Sequence, residues 1–289
     1  TAGSATFTAA KDTSSPAYAI VAAGTSGITA GVLKFAATND AITLNRVALQ
    51  LTNTASSTSN DLTKVYLYDG ATKVGESLFT GTATTTVVTV SGVTIPKDGS
   101  KVLTIKVDVA SMDTNNASTL EGAFVAVDLD GTGQAGSTYG TSSSGASVTP
   151  TLSDTAVAGF RVFKSYPTLA KISIPTSTLV AGTMDLYRFS MTASPSTGNG
   201  IGIQTFNVNI ATSTGTATAG TTTVTNLDIY AYTDSAFSSP ISGFTNGLVY
   251  DGSGGILSGA DNVATTSAIV QIPAGSTYYF ELRGTVTGT

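Results

Sequence analysis

Residues Ile42–Leu51 read ITLNRVALQL, with apolar side chains at Ile42 and Leu44 and then at Val47, Leu49 and Leu51. Side chains two apart share one face of a strand, so this spacing predicts a strand with one buried and one wet face. The one-residue slip between Leu44 and Val47 keeps all five on the same side only if an extra residue is taken up there, as a β-bulge does. The pattern returns at Ile201–Ile210, IGIQTFNVNI, with Ile201, Ile203, Phe206, Val208 and Ile210 and the same slip. A strand repeated together with its irregularity predicts two copies of one domain.

Other segments match in the same order. Residues 16–31 (PAYAIVAAGTSGITAG) align without gaps to residues 167–182 (PTLAKISIPTSTLVAG). Lys34-Phe35 matches Arg188-Phe189, and Val65, Leu67 and Tyr68 match Leu227, Ile229 and Tyr230. Ile95-Pro96 matches Ile272-Pro273, and Leu103, Ile105 and Val109 match Phe280, Leu282 and Val286. Helical periodicity is nearly absent, and turn signals such as Asp69-Gly70, Asp251-Gly252 and residues 96–99 (PKDG) separate the alternating runs. The expectation is an all-β chain of two tandem immunoglobulin-like antiparallel β-sandwich domains, residues 16–166 and 167–289, preceded by a strand segment at residues 1–15. Residues 128–147 (DLDGTGQAGSTYGTSSSGAS) read as a long exposed loop, and residues 155–164 (TAVAGFRVFK) as the last strand of the first domain.

The two copies differ at their ends. The first continues past Val109 into strand-like residues 122–130 and 155–164, whereas the second has no counterpart of these after Val286. Before Pro16, the run Thr6, Phe7, Thr8, Ala9, Ala10, Lys11 resembles residues 159–164 (GFRVFK), since in both a Phe precedes a Lys by four. One reading is that Thr6 to Lys11 is a donor strand that completes the second domain of the next subunit, head to tail, because an open sheet edge offers unpaired donors and acceptors. Such a contact propagates into a homopolymer. Two other readings stay open: the strand folds back on its own first domain, or the sequence is part of a longer repeat protein.

Composition narrows the function. Charged residues are 11% of the chain, against about 25% in an average soluble protein, and hydroxyl and small residues replace them. Weakly charged surfaces repel their own copies weakly, which suits lateral packing outside the cell. The net charge of −5 and scattered basic residues leave no stripe for nucleic acid. No apolar run reaches the roughly 18 residues that would span a bilayer. No leader is evident, and the chain reads as a mature secreted form.

Without His or Cys the chain lacks imidazole bases, catalytic triads and thiolate or imidazole zinc sites. Glu appears only at Glu76, Glu121 and Glu281, none with a partner motif. The expectation is no enzyme and no cofactor. Calcium has acidic loops to consider, at residues 128–131 (DLDG) and between Asp251 and Asp261, but neither has a known loop spacing, and Asp serves β-turns by itself. Basic residues recur in register, Lys34 with Arg188 and Lys106 with Arg283. Tyr66, Tyr68, Tyr230, Tyr232, Tyr278 and Tyr279 are either a face that stacks surface glycans or strand residues with a buried ring and a wet hydroxyl. Asn116-Ala117-Ser118 is the one N-glycosylation sequon.

The order of Ala30-Gly31, residues 44–51, residues 61–70 (DLTKVYLYDG) and residues 95–107 resembles repeat domains of surface proteins from uncultivated ultra-small bacteria. That resemblance implies an S-layer-like or filament-forming protein at the cell surface, and it brings no catalytic residues. The second copy departs from it at Tyr232-Thr233-Asp234, where the Asp-Gly turn is lost. The alternative is an adhesin or carbohydrate-binding module.

Overall fold

The computed structural model describes residues 4–51, 58–112, 121–131, 138–151, 156–195, 198–210, 223–253 and 259–287. The chain divides into two compact units, Thr1–Lys164 and Ser165–Thr289. Among the described residues both are built of strands, with only two short 3-10 turns.

The first unit contains β1 (Thr6–Lys11), β2 (Ala19–Ala22), β3 (Ile28–Thr38), β4 (Ile42–Leu51), β5 (Leu62–Asp69), β6 (Thr72–Ser77) and β7 (Thr85–Thr89). It continues with β8 (Thr94–Ile95), β9 (Ser100–Val109), β10 (Ala123–Val125), β11 (Val127–Leu129), β12 (Tyr139–Ser142), β13 (Ser147–Val148) and β14 (Phe160–Phe163). One layer has the order β1-β3-β9-β5-β6. The other is centred on β4, which pairs β7 and β8 along one edge and β11 and β12 along the other. β10 and β11 are one run interrupted at Ala126; the first half pairs β14, which in turn pairs β2, so the layer extends from β7 through β4 to β2. The five large apolar residues of β4, Ile42, Leu44, Val47, Leu49 and Leu51, belong to the core and are at most 3% exposed. A fully buried side chain of this size is worth about 1.5–3 kcal/mol, so this strand is a principal source of the unit's stability.

The second unit contains β15 (Tyr166–Ile172), β16 (Gly182–Ser194), β17 (Ile201–Ile210), β18 (Thr223–Tyr232), β19 (Leu248–Tyr250), β20 (Gly259–Ile272) and β21 (Thr277–Thr287). Its first layer, β15-β16-β21-β18-β19, repeats that of the first unit strand for strand. The registers repeat too: Leu67 pairs Ile105 as Ile229 pairs Leu282, and Ile42 pairs Ile95 as Ile201 pairs Ile272. The register is irregular at the expected place in both copies: Asn45 is one extra residue of β4 against β12, and at Gln204 the pairing of β17 shifts, with residues 266–269 of β20 opposite that one residue.

Three expectations are revised. Thr6–Lys11 does not stand apart from the first domain; it pairs β3 of its own unit, Phe7 opposite Ala37, and Phe7 is 1% exposed. Within residues 128–147, residues 143–147 are exposed, but residues 128–130 and 138–142 are not an exposed loop and pack along β4, which needs hydrogen-bond partners on its second edge. There the Ala48 amide donates to Thr138 Oγ1 at 2.8 Å, and Gly140 lies so close to β4 that a Cβ would sit 2.8 Å from the Thr43 carbonyl oxygen. Finally, residues 16–22 and 167–172, aligned in sequence, occupy different places. β2 runs parallel to β14, whereas β15 runs antiparallel to β16, in the position β1 takes on β3. With no counterpart of β14 among its described residues, the second unit offers this segment no parallel neighbour.

Candidate assembly face

The strip left open by the second unit begins on β17. Among the described residues β17 pairs only β20, so its other edge lacks the neighbours that β11 and β12 give β4. Ile201, Ile203, Phe206 and Val208 pack on the core yet remain half-buried, where the matching Ile42, Leu44, Val47 and Leu49 are sealed. β15 lies over this side with its side chains outside the core: Leu169, which takes the place of Phe7, is 60% exposed. Tyr187, Leu179 and Val180 are exposed as well. Among the described residues the unit is a five-strand layer facing two strands, and the apolar strip of β17 is only half-buried. A half-open sandwich of this kind is satisfied by an added strand, which supplies backbone partners to the edge and apolar side chains to the strip.

The outward face of the first layer carries a different feature. Glu281 on β21 is fully buried there and held by two guanidiniums: Arg188 contacts its Oε1, and Arg283 Nη2 lies 2.6 Å from its Oε2. Asp185 accepts from Arg188 Nη2 at 2.8 Å, and Arg283 Nη2 donates to the Tyr232 hydroxyl at 3.1 Å. Burial opposes the Glu281 charge, but the hydrogen bond from Asp185 and those of the arginines outweigh it and hold its pKa below the usual carboxylate value. Burial and the neighbouring Glu281 carboxylate push Asp185 the other way, upward. Phe237 closes the cluster, with the Arg188 guanidinium 4.2 Å above its ring. Phe237 sits in the connection that replaces the lost Asp-Gly turn, and it is set by Asp234, which accepts the amides of Ala236, Ser238 and Ser239. Sequence reading missed this cluster; the in-register Arg188 and Arg283 were its one visible trace.

The tyrosine positions are likewise engaged. Lys106 lies 4.6 Å above the Tyr68 ring and Arg283 lies 4.4 Å above Tyr230, the same cation–π pair in both units. The Tyr66 hydroxyl donates to Asp108 at 2.6 Å, which pushes its pKa up to about 12. Of the acidic loop residues, Asp128 and Asp130 are buried, and Asp128 accepts the Val157 amide at 2.8 Å. Asp251 accepts the Ser253 amide in a turn. Among the described residues no three acidic groups converge on one point. The Asn116 sequon and the side chain of Asp261 lie outside the described residues. No described helix is long and apolar enough to cross a membrane.

No protein-family model matches the chain, and no curated protein sequence matches it. Among solved structures, the chain is similar to a two-domain protein of unknown function from Bacteroides fragilis, with 10% identity over 97% of this chain and 94% of that one at a TM-score of 0.28. It is also similar to a chain of the CsuC–CsuE chaperone–tip adhesion subunit pre-assembly complex from archaic chaperone-usher pili of Acinetobacter baumannii, with 10% identity over 95% and 93% at a TM-score of 0.24. At these TM-scores neither likeness bears on function.

Proposed function

We propose that this chain is a non-catalytic structural subunit that assembles with copies of itself outside the cell, as a surface layer or a filament, through a strand added to its second unit. The observation that carries the reading is the contrast between β4 and β17. One repeated apolar strip is sealed in the first unit and left half-covered in the second. A head-to-tail contact at such a strip joins two unlike surfaces, and it propagates from copy to copy unless its rotation closes a ring. The low charge content supports it, because neighbouring copies meet little electrostatic repulsion. The adhesin or glycan-binding alternative has less support, since Tyr68 and Tyr230 already carry cations over their rings.

The test is negative-stain electron microscopy and light scattering of the purified chain over a range of concentrations. Filaments, sheets or a ladder of oligomers are expected. Monodisperse particles at every concentration would overturn the reading.

A further inference from the structure

We infer that the strand completing the second unit is Thr6–Lys11 of a second copy, lying against β17 and leaving its place on β3. This rests on the assembly reading above and names the joint. Among the described residues β1 is the terminal strand of its layer, with β3 as its one ladder neighbour and a single bridge from Thr8 to Thr151 beyond it. Its inward residues are Phe7 and Ala9, and the strand it resembles in sequence, β14, presents Phe160 and Val162 inward in the same alternation. β14 belongs to the group of strands that covers the first unit on the side the second unit leaves open.

The exchange is favoured by what each unit has left. Without β1 the first unit still has four strands in one layer against the full opposing layer, from β7 and β8 through β4 to β2. Without a donor the second unit has, among the described residues, five strands against two. On the second unit the added strand would bring Phe7 and Ala9 to a strip whose Ile201, Ile203, Phe206 and Val208 are only half-buried. The backbone ladder is conserved, because the six residues that pair β3 pair β17 instead. The connection from β1 to β2 is the seven residues Asp12–Tyr18; it is held to β3 by the Asp12 amide on the Val32 carbonyl and by the Ser15 hydroxyl on the Val32 backbone, and β1 leaves by giving up these bonds.

Thr8 and Ala36 are direct cross-strand partners with side chains on the outward face. Opposed antiparallel residues lie about 4.5–5.5 Å apart at Cα, within the range a disulfide spans. The chain has no cysteine of its own, so the double variant Thr8→Cys, Ala36→Cys forms one bond that locks β1 to its own unit. Assembly of the full-length double variant is compared oxidised and reduced, beside the unmodified chain. Loss of polymers on oxidation, with recovery of the same sample on reduction, is the expected result. Polymers of unchanged yield from the oxidised chain would overturn donation by β1 while leaving self-assembly standing. Absence of polymers from the unmodified chain as well would overturn both. Circular dichroism of the oxidised sample checks that the locked chain is folded, and the reduced sample controls for the two substitutions themselves.

Discussion

Glu281 is a residue whose environment is set entirely by distant neighbours. It alternates with Phe280 and Leu282, so the strand pattern assigns it to the wet face, and yet it is fully buried there under Arg188, Arg283 and Phe237. A buried carboxylate is tolerated only when paired, and removing one member leaves the others uncompensated. Glu281→Gln is therefore expected to destabilise the second unit by about 3 kcal/mol in urea unfolding, the arginines being partly open to water. A loss under about 0.5 kcal/mol, the size of an ordinary surface substitution, would show that the charge is not what holds the cluster. Glu76, by contrast, is exposed, and hydrogen bonds from Lys73 and then Lys64 lower its pKa to about 2 from the ordinary 4.5. Because the folded value is depressed, its contribution to stability is complete above pH 4.5 and disappears as pH falls towards 2. Water screens the pair, so the effect on stability is small. A carboxyl titration by NMR is expected to find Glu76 titrating near 2, and Lys73→Met is expected to move it back towards 4.5. A midpoint unchanged in the variant would contradict the assignment.

Two strands that share one position in the fold test what the opposing layer contributes. Phe7 on β1 lies opposite Ala37, and Leu169 on β15 lies opposite Met191, each two residues from the edge partner of Phe35 or Phe189, Ala9 and Lys171. The first is sealed and the second is 60% exposed. In the unassembled chain, Phe7→Ala is expected to cost about 3 kcal/mol, and Leu169→Ala less than about 0.5 kcal/mol. Equal losses on calorimetry would mean that the second unit closes over β15 in solution. The same pair shows how far the sequence could be read. The alternation of Ile42–Leu51, its bulge and its return at Ile201–Ile210 follow from local pattern and were legible. The places of β2 and β15 were not, because similarity between residues 16–22 and 167–172 records what a segment can pair with, and among the described residues only the first unit holds the partner. Residues 138–142 were misread for a related reason: their Gly and Ser content resembles a loop, but Gly140 is small because it approaches the backbone of β4. Glu281 was invisible because Arg188 is 93 residues away.

For the whole molecule, duplication has produced two units with the same first layer and unequal second layers, and the inequality sets a gradient of local stability. Amide exchange reports local opening, and opening is easiest where a strand has one neighbour and an incomplete apolar cover. β4 has partners on both edges and a sealed inner face. β17 carries the same pattern of side chains but pairs only β20 among the described residues. Hydrogen exchange of the dispersed full chain is expected to show the amides of Asn207 and Val208 exchanging roughly tenfold or more faster than those of Ala48 and Leu49, about 1.4 kcal/mol in opening free energy. If assembly proceeds by strand addition at β17, its protection rises towards that of β4 in the polymer, and Thr8 and Ala9 stay protected because they exchange one ladder for another. Protection gained elsewhere, with β17 unchanged, would relocate the joint to another face. Equal protection of β4 and β17 before assembly would mean that the open strip is already covered, and the structural basis for polymerisation would fall with it.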